Sequence, residues 1–238
     1  MNVMGKDSSA VCVASGGLDS TVAATIAKQE GYRLHLLHAS YGQMAKDREI
    51  EAVRRIAEYL GAELVFVDLS FLKSFGRSAL TDPSIDLPLD EEVELDAVST
   101  PRTWVPCRNL VLLSVAASFA ESIEASAIFV GFNAEEAQSY PDNRPAFVEA
   151  FNRTLENAVA SFTPDITVKA PLIAMFKRDI VRKGVEVGAP LELTWSCYLS
   201  GEVHCGRCEA CQHRKRGFME AGIEDVTVYA GYEDSMGR

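Results

Sequence analysis

The sequence has no long apolar run. Its longest apolar stretch, Leu110–Ala120, is broken by serine. It is too short to cross a bilayer, which takes about 20 consecutive apolar residues. The opening MNVMGKDSSA lacks the apolar core of a secretory signal, so none is expected. Basic residues are scarce relative to acidic ones: 23 Lys and Arg face 34 Asp and Glu, a net charge of −11. A general nucleic-acid binder needs a basic face, so direct nucleic-acid binding is not expected. A small anionic substrate is not excluded, because a pocket can be locally positive. There is no internal repeat. Four of the six cysteines cluster late in the chain. Without a secretory signal, that clustering points to metal rather than disulfides, and to a cytoplasmic protein.

What is present is a chain of 238 residues, 47% of them hydrophobic. That suits one large domain, or one domain plus a small module. Apolar runs at 8–14, 33–40 and 63–69 read as strands, and amphipathic stretches at 21–30 and 47–60 read as helices. Strand–helix–strand–helix–strand is the pattern of a parallel sheet covered on both faces. Residues 109–122, 149–161 and 177–187 read as further helices, and 127–132 and 168–173 as further strands. Residues 81–100, rich in Asp, Glu and Pro, read as a solvated surface loop, with a lid over a site as the alternative.

Between the first strand and the first helix lies Ala14-Ser15-Gly16-Gly17-Leu18-Asp19-Ser20-Thr21. In open α/β folds this end of the sheet binds ligands. The glycines permit close approach, and the backbone N–H groups with the helix dipole make an anion site. The loop has no Lys, so it is not a Walker A motif, and it lacks the spacing of GxGxxG. An Asp in an anion cradle repels phosphate unless a cation intervenes. Asp19 therefore reads as holding Mg²⁺ on a pyrophosphate, or else as an exposed cap on a plain glycine turn.

SGGLDS resembles the PP-loop, SGGxDS, of the ATP pyrophosphatases. These enzymes cleave ATP between the α and β phosphates, attach AMP to a substrate oxygen, and let a nucleophile displace it. The tail holds Cys197, Cys205, Cys208 and Cys211 in the spacing C-x7-C-x2-C-x2-C. Four thiolates so spaced can close a tetrahedral, structural zinc site, with Gly206 in the tight turn. Four unligated cysteines and a three-Cys iron–sulfur site are the alternatives. Cys12, in an apolar strand, reads as core. His38 and His204 belong to no motif; His204 reads as a spare ligand, or more simply as a packing neighbour of the cysteines. The HRKR run at 213–216 reads as a solvated helix face.

Loop and tail together resemble the 7-cyano-7-deazaguanine synthases, the QueC-like family of the queuosine and archaeosine pathways. SYGQ at 40–43, STPRTWVPCRNLVLLSVAASFAE at 99–121, GFNAEEAQSYPDNRPAFVEAFN at 131–152 and APLIAMFKRDIV at 170–181 each resemble a family segment, in order. The resemblance implies a Rossmann-like α/β domain over 1–190 and a zinc-binding segment over 191–238. It implies a reaction of 7-carboxy-7-deazaguanine, ammonia and two ATP, with Mg²⁺, in a homodimer. It implies that residues 14–21 bind ATP and that Arg108 and Lys177 neutralise phosphate charge, although each also reads as an ordinary surface or helix-terminal cation. Asn109 touches ligand or caps its helix. Tyr140, Asp142 and Arg144 are the expected substrate residues: a flat face, an acceptor for the N–H edge and a cation for the carboxylate. Read alone, Tyr-Pro-Asp-Asn is a turn.

Two features depart from the family. Cys107 stands where Gly is common. Gln138-Ser139 and Asn143 replace residues of a segment that often reads Ser-Gly-Tyr-Pro-Asp-Cys-Arg, which leaves open a related substrate or an amide end point. A tRNA sulfur transferase of the PP-loop class is the rival, disfavoured by acidity and by the four-Cys spacing. A glutamine-dependent synthetase lacks room for a glutaminase. A non-catalytic ATP sensor would bind nucleotide without releasing AMP.

Overall fold

The computed structural model describes residues 8–90, 101–160 and 165–231. The second half of the acidic loop, 91–100, lies outside the described residues. Five strands form one parallel sheet: β1 (Ser9–Val13), β2 (Arg33–Ser40), β3 (Glu63–Asp68), β4 (Ala127–Phe129) and β5 (Thr167–Lys169), in the order β3-β2-β1-β4-β5. Strand side chains alternate between faces. Ala10, Cys12, Leu34, Leu36 and Phe129 pack on one face beneath α1 (Leu18–Gln29) and α2 (Lys46–Leu60). Val11, Leu37, Ile128 and Val168 pack on the other beneath α3 (Arg108–Ser122) and α4 (Pro145–Ala158). Burial of each large apolar side chain contributes ~1.5–3 kcal/mol, so this double layer dominates the folding energy. Cys12 is core, as expected.

Several boundaries differ from the sequence reading: β5 ends at Lys169, not 173, α1 starts at Leu18, not 21, and two more differ for physical reasons. α4 starts at Pro145, not at 149, because proline fits the first helical position, where its missing N–H costs nothing. β4 stops at Phe129, and Val130 and Gly131 turn into the cavity described below.

α5 (Lys177–Val187) and α6 (Glu209–Ala221) lie beside α1, joined by Leu18, Val22, Ile180, Val181, Leu191 and Phe218. The HRKR run is corrected here. His213 and Arg214 are buried, because the face they share looks inward. Arg214 donates to the Thr194 hydroxyl (2.6 Å) and the Leu191 carbonyl (3.1 Å) and pairs with Asp225 (3.3 Å). The charge lies inside because every part of it is bonded. The first half of the acidic loop is not simply solvated either. Leu89 bridges to Cys208, Leu87 and Leu89 pack against the cysteine cluster, and Arg207 pairs with Asp90 (2.7 Å).

Candidate active site

β1 ends at Val13, and the chain turns through Ser15–Gly17 into α1. Gly16 has φ +83, and a Cβ there would lie 2.8 Å from the Glu49 carbonyl oxygen. Only glycine lets the loop rest on α2 this closely. The loop is cross-braced: the two serine hydroxyls, Ser15 and Ser20, meet at 3.1 Å, and the Gly17 N–H donates to Ser15 Oγ at 3.2 Å. Trp195 N–H donates to the Gly16 carbonyl at 2.9 Å, so the C-terminal segment also holds the loop. No side chain caps α1. Its first-turn amides and the dipole are free to receive an anion.

Asp19 lies in that first turn. It is not an exposed cap: its carboxylate is 15% exposed and pairs with Lys177 at 2.6 Å. Asn133 donates to the same oxygen, Oδ2, at 3.1 Å. The other oxygen, Oδ1, is buried and has no hydrogen-bond partner. Burial alone would lower the Lys177 pKa; Asp19 and Glu136 beside it raise it instead, so the ammonium stays charged. Lys177 thus brings a cation to the N-terminus of α1 from the N-terminus of α5.

Ala14, Ser15, Gly17, Leu18, Asp19 and Ser20 line one cavity of about 280 Å³ with Arg108, Tyr140, Asp142 and Lys177. Sequence reasoning named all of these. Arg108 donates to Tyr41 Oη at 3.1 Å and lies over that ring. Tyr140 stacks on Trp104 with centroids 5.7 Å apart, and its hydroxyl meets Thr103 Oγ1 at 2.7 Å. Asp142 is buried, and Oδ2 lacks a partner. Burial raises its pKa, opposed by Arg108 and by Asn109. The Tyr-Pro-Asp-Asn turn is a short 3-10 helix, Pro141–Asn143.

Three named residues stand apart. The Gly16 backbone faces α2, and the Thr21 hydroxyl is bonded to the Gly17 carbonyl at 2.8 Å. Arg144 does not line the cavity; its guanidinium donates to the carbonyls of Ala137 (2.9 Å) and Gln138 (3.3 Å), bracing the 3-10 turn there. Asn109, by contrast, lines the cavity, and it does not cap α3, which opens at Cys107 with no side-chain cap. It accepts from Arg108 Nε at 3.3 Å.

Sequence reasoning missed Trp104, Asn133, Glu135, Glu136, Tyr198 and Glu209, five of which line the cavity while Asn133 grips Asp19. Asn133, Glu135 and Glu136 lie inside a quoted segment, and three polar residues straight after an apolar strand were a readable signal. Tyr198 and Glu209 are each next in sequence to a cysteine of the tail.

Those cysteines converge: the sulfurs of Cys197, Cys205, Cys208 and Cys211 all lie within 4.8 Å of one another. Backbone N–H groups of Leu199 and Cys205 point at Cys197 Sγ (3.4 Å each), and that of Cys208 at Cys205 Sγ (3.3 Å). Four sulfurs with amide support can hold one metal ion. His204 is not a fifth member. Its Nε2 accepts from Ser196 N–H at 3.0 Å, and its ring packs on Trp195 at 4.2 Å.

The family model "Queuosine biosynthesis protein QueC" matches residues 9–222. A 7-cyano-7-deazaguanine synthase of Methanothrix thermoacetophila is 61% identical, over 92% of this chain and 98% of its own. The synthase of Methanothermobacter thermautotrophicus is 45% identical over 92% and 98%. Among solved structures, a tRNA thiolase, NcsA, of Methanococcus maripaludis superposes with a TM-score of 0.51 at 15% identity, over 91% of this chain and 66% of that one. That likeness is one of fold.

Proposed function

Because the chain belongs to the QueC family of queuosine biosynthesis proteins, we propose that it converts 7-carboxy-7-deazaguanine, ammonia and two ATP into 7-cyano-7-deazaguanine, two AMP and two pyrophosphates. The observation that carries this reading is the single cavity. It joins the phosphate cradle at Asp19 and Lys177 to an aromatic and acidic wall at Trp104, Tyr140 and Asp142.

The chemistry explains why one cavity serves both rounds. A carboxylate is a poor electrophile. Adenylation gives its carbon a good leaving group, ammonia displaces AMP, and the amide forms. A second adenylation, on the amide oxygen, lets AMP leave as the nitrile forms. Both rounds need the same ATP alignment, and charge develops on phosphate in both. In this reading the open amides at the start of α1, Ser15 and Ser20 cradle the β and γ phosphates, and Lys177 balances their charge. Asp19, with Oδ1 unpartnered, fits a magnesium ion, which when bound neutralises the phosphates. Tyr140 on Trp104 offers the flat face for the deazapurine. Asp142 offers a carboxylate oxygen to its N–H edge. With Arg144 turned to backbone carbonyls, Arg108 is the cation left for the 7-carboxylate or the α phosphate. The four cysteines suit a zinc ion, which when bound ties the tail together. The working unit by resemblance is a homodimer in the cytoplasm; among the described residues no helix is long and apolar enough to cross a membrane.

Pyrophosphate release tests the reading. It is expected only when ATP and 7-carboxy-7-deazaguanine are both present. Release that ignores the acid, or none from metal-loaded protein, would contradict it.

A further inference from the structure

Six carboxylates line the cavity, and among the described residues five take a hydrogen bond or a close ion pair, with Asp19 Oδ1 and Asp142 Oδ2 left unpartnered. Asp19 pairs with Lys177. Glu49 accepts from Gln43 Nε2 at 2.7 Å. Glu135 accepts the Lys177 backbone N–H at 3.1 Å and pairs with Arg216. Asp142 Oδ1 takes the Asn143 amide at 3.4 Å, and Glu209 takes the Tyr198 hydroxyl at 3.3 Å. Glu136 is the loosest. Its nearest cation, Lys177, is at the 4.0 Å limit of an ion pair, and its side chain is 36% exposed against 10% for Lys177. The Asn133 side chain gives it one hydrogen bond.

Its position matters as much as its freedom. Glu136 interacts with Lys177 of α5 and Asp19 of α1, the phosphate end, and with Arg108 of α3. Its charge is also felt at Tyr140, Tyr198 and Glu209, which lie around the substrate wall. Glu136 lines the same cavity as Asp19 and Lys177 at the phosphate end and Tyr140, Asp142 and Tyr198 at the substrate wall, within 4.0 Å of Lys177. Burial raises its pKa, with Lys177 working against the rise.

The proposed reaction has a proton problem. At neutral pH ammonia is mostly ammonium, which has no lone pair to attack with. The nitrile, in turn, forms only after its nitrogen has lost every proton. We propose that Glu136 is the general base for the nitrogen in both rounds, an inference that rests on the synthase reading above. Ammonium gives a proton to the Glu136 carboxylate. The freed lone pair forms the C–N bond, and the C–O bond to AMP breaks with its electron pair leaving on AMP. The new nitrogen sheds its extra proton to Glu136 once the first has passed to solvent. In the second round the amide oxygen attacks the α phosphorus and pyrophosphate leaves. The O-adenylated amide then loses both N–H protons, the nitrogen pair closes the triple bond, and AMP leaves with the C–O pair.

Hydroxylamine separates this role from adenylation, because it is already a neutral amine at neutral pH. The test compares Glu136→Gln with the wild type, metal-loaded, using 7-carboxy-7-deazaguanine, ATP and either nucleophile. With ammonium the variant is expected to be slower by about 100-fold or more, the usual worth of a general base. With hydroxylamine the loss should be much smaller, so that the ratio of hydroxamate to amide formation rises by about 30-fold or more over wild type. In the variant the rate with ammonium should follow the fraction of free ammonia and keep rising with pH, whereas the wild-type rate levels off once Glu136 is ionised. Equal losses with both nucleophiles would overturn the proposal, because Glu136 would then serve adenylation or folding. An undiminished rate with ammonium would overturn it too. A wild-type protein that makes neither hydroxamate nor AMP sinks the synthase reading itself, a distinct result.

Discussion

Single residues carry costs that the fold absorbs. Cys107 has φ +51, in the left-handed region that side chains avoid at about 1–2 kcal/mol. Cys107→Gly is therefore expected to raise stability by about 1 kcal/mol, seen as a higher melting temperature; an unchanged or lower one would show that the thiol makes up for the strain. His38 bears another cost. It is fully buried, with Nδ1 bonded to the Ala14 carbonyl at 2.9 Å and Nε2 without a partner. Burial holds its pKa below the ordinary 6.5. An unfolded chain takes up that proton near pH 6.5, while the folded one refuses it until lower pH. Its contribution to stability is thus complete above the unfolded value and is lost as pH falls toward the folded one. Glutamine keeps an N–H for Ala14 and cannot titrate. His38→Gln should cost stability at every pH yet weaken the fall between about pH 7.5 and 5.5. Urea melts at both pH values measure this, and equal slopes in the two proteins would refute it.

At the scale of elements, α5 and α6 set the cation of the site. A Cβ on Gly217 would lie 2.5 Å from Lys177 Cγ, so α6 presses directly on the lysine that meets Asp19. Gly217→Ala is expected to cost about 1–3 kcal/mol by overpacking and to slow pyrophosphate release by displacing Lys177. Wild-type melting and wild-type release together would contradict that. The sheet was legible because buried parallel strands are continuous apolar runs, as in SAVCV and RLHLLHAS. The loop was legible because few strand-to-helix turns combine two glycines with a carboxylate. Long-range pairing was not legible. Nothing local tells that Arg214 bonds Leu191 and Thr194, or that Arg144 spends its guanidinium on carbonyls seven and six residues back. Judged by charge alone, Arg214 belongs in solvent and Arg144 on a carboxylate. Trp104 acquires meaning only when Tyr140 stacks on it.

For the whole molecule, the cysteine segment is part of the site and not an appendage. Trp195 holds the Gly16 carbonyl, and Tyr198 and Glu209, each beside a cysteine, line the cavity. Cys208→Ser is expected to lower the bound metal per chain, lower the melting temperature and weaken ATP binding together. Full metal occupancy with unchanged melting would contradict this. The central claim is that one cavity carries an acid through an amide to a nitrile. Mass spectrometry of a reaction with 7-carboxy-7-deazaguanine, ammonium, ATP and Mg²⁺ tests it most directly. The account predicts 7-cyano-7-deazaguanine with two AMP for each molecule formed. Amide that accumulates with one AMP, or no AMP at all from folded, metal-loaded protein, would contradict it.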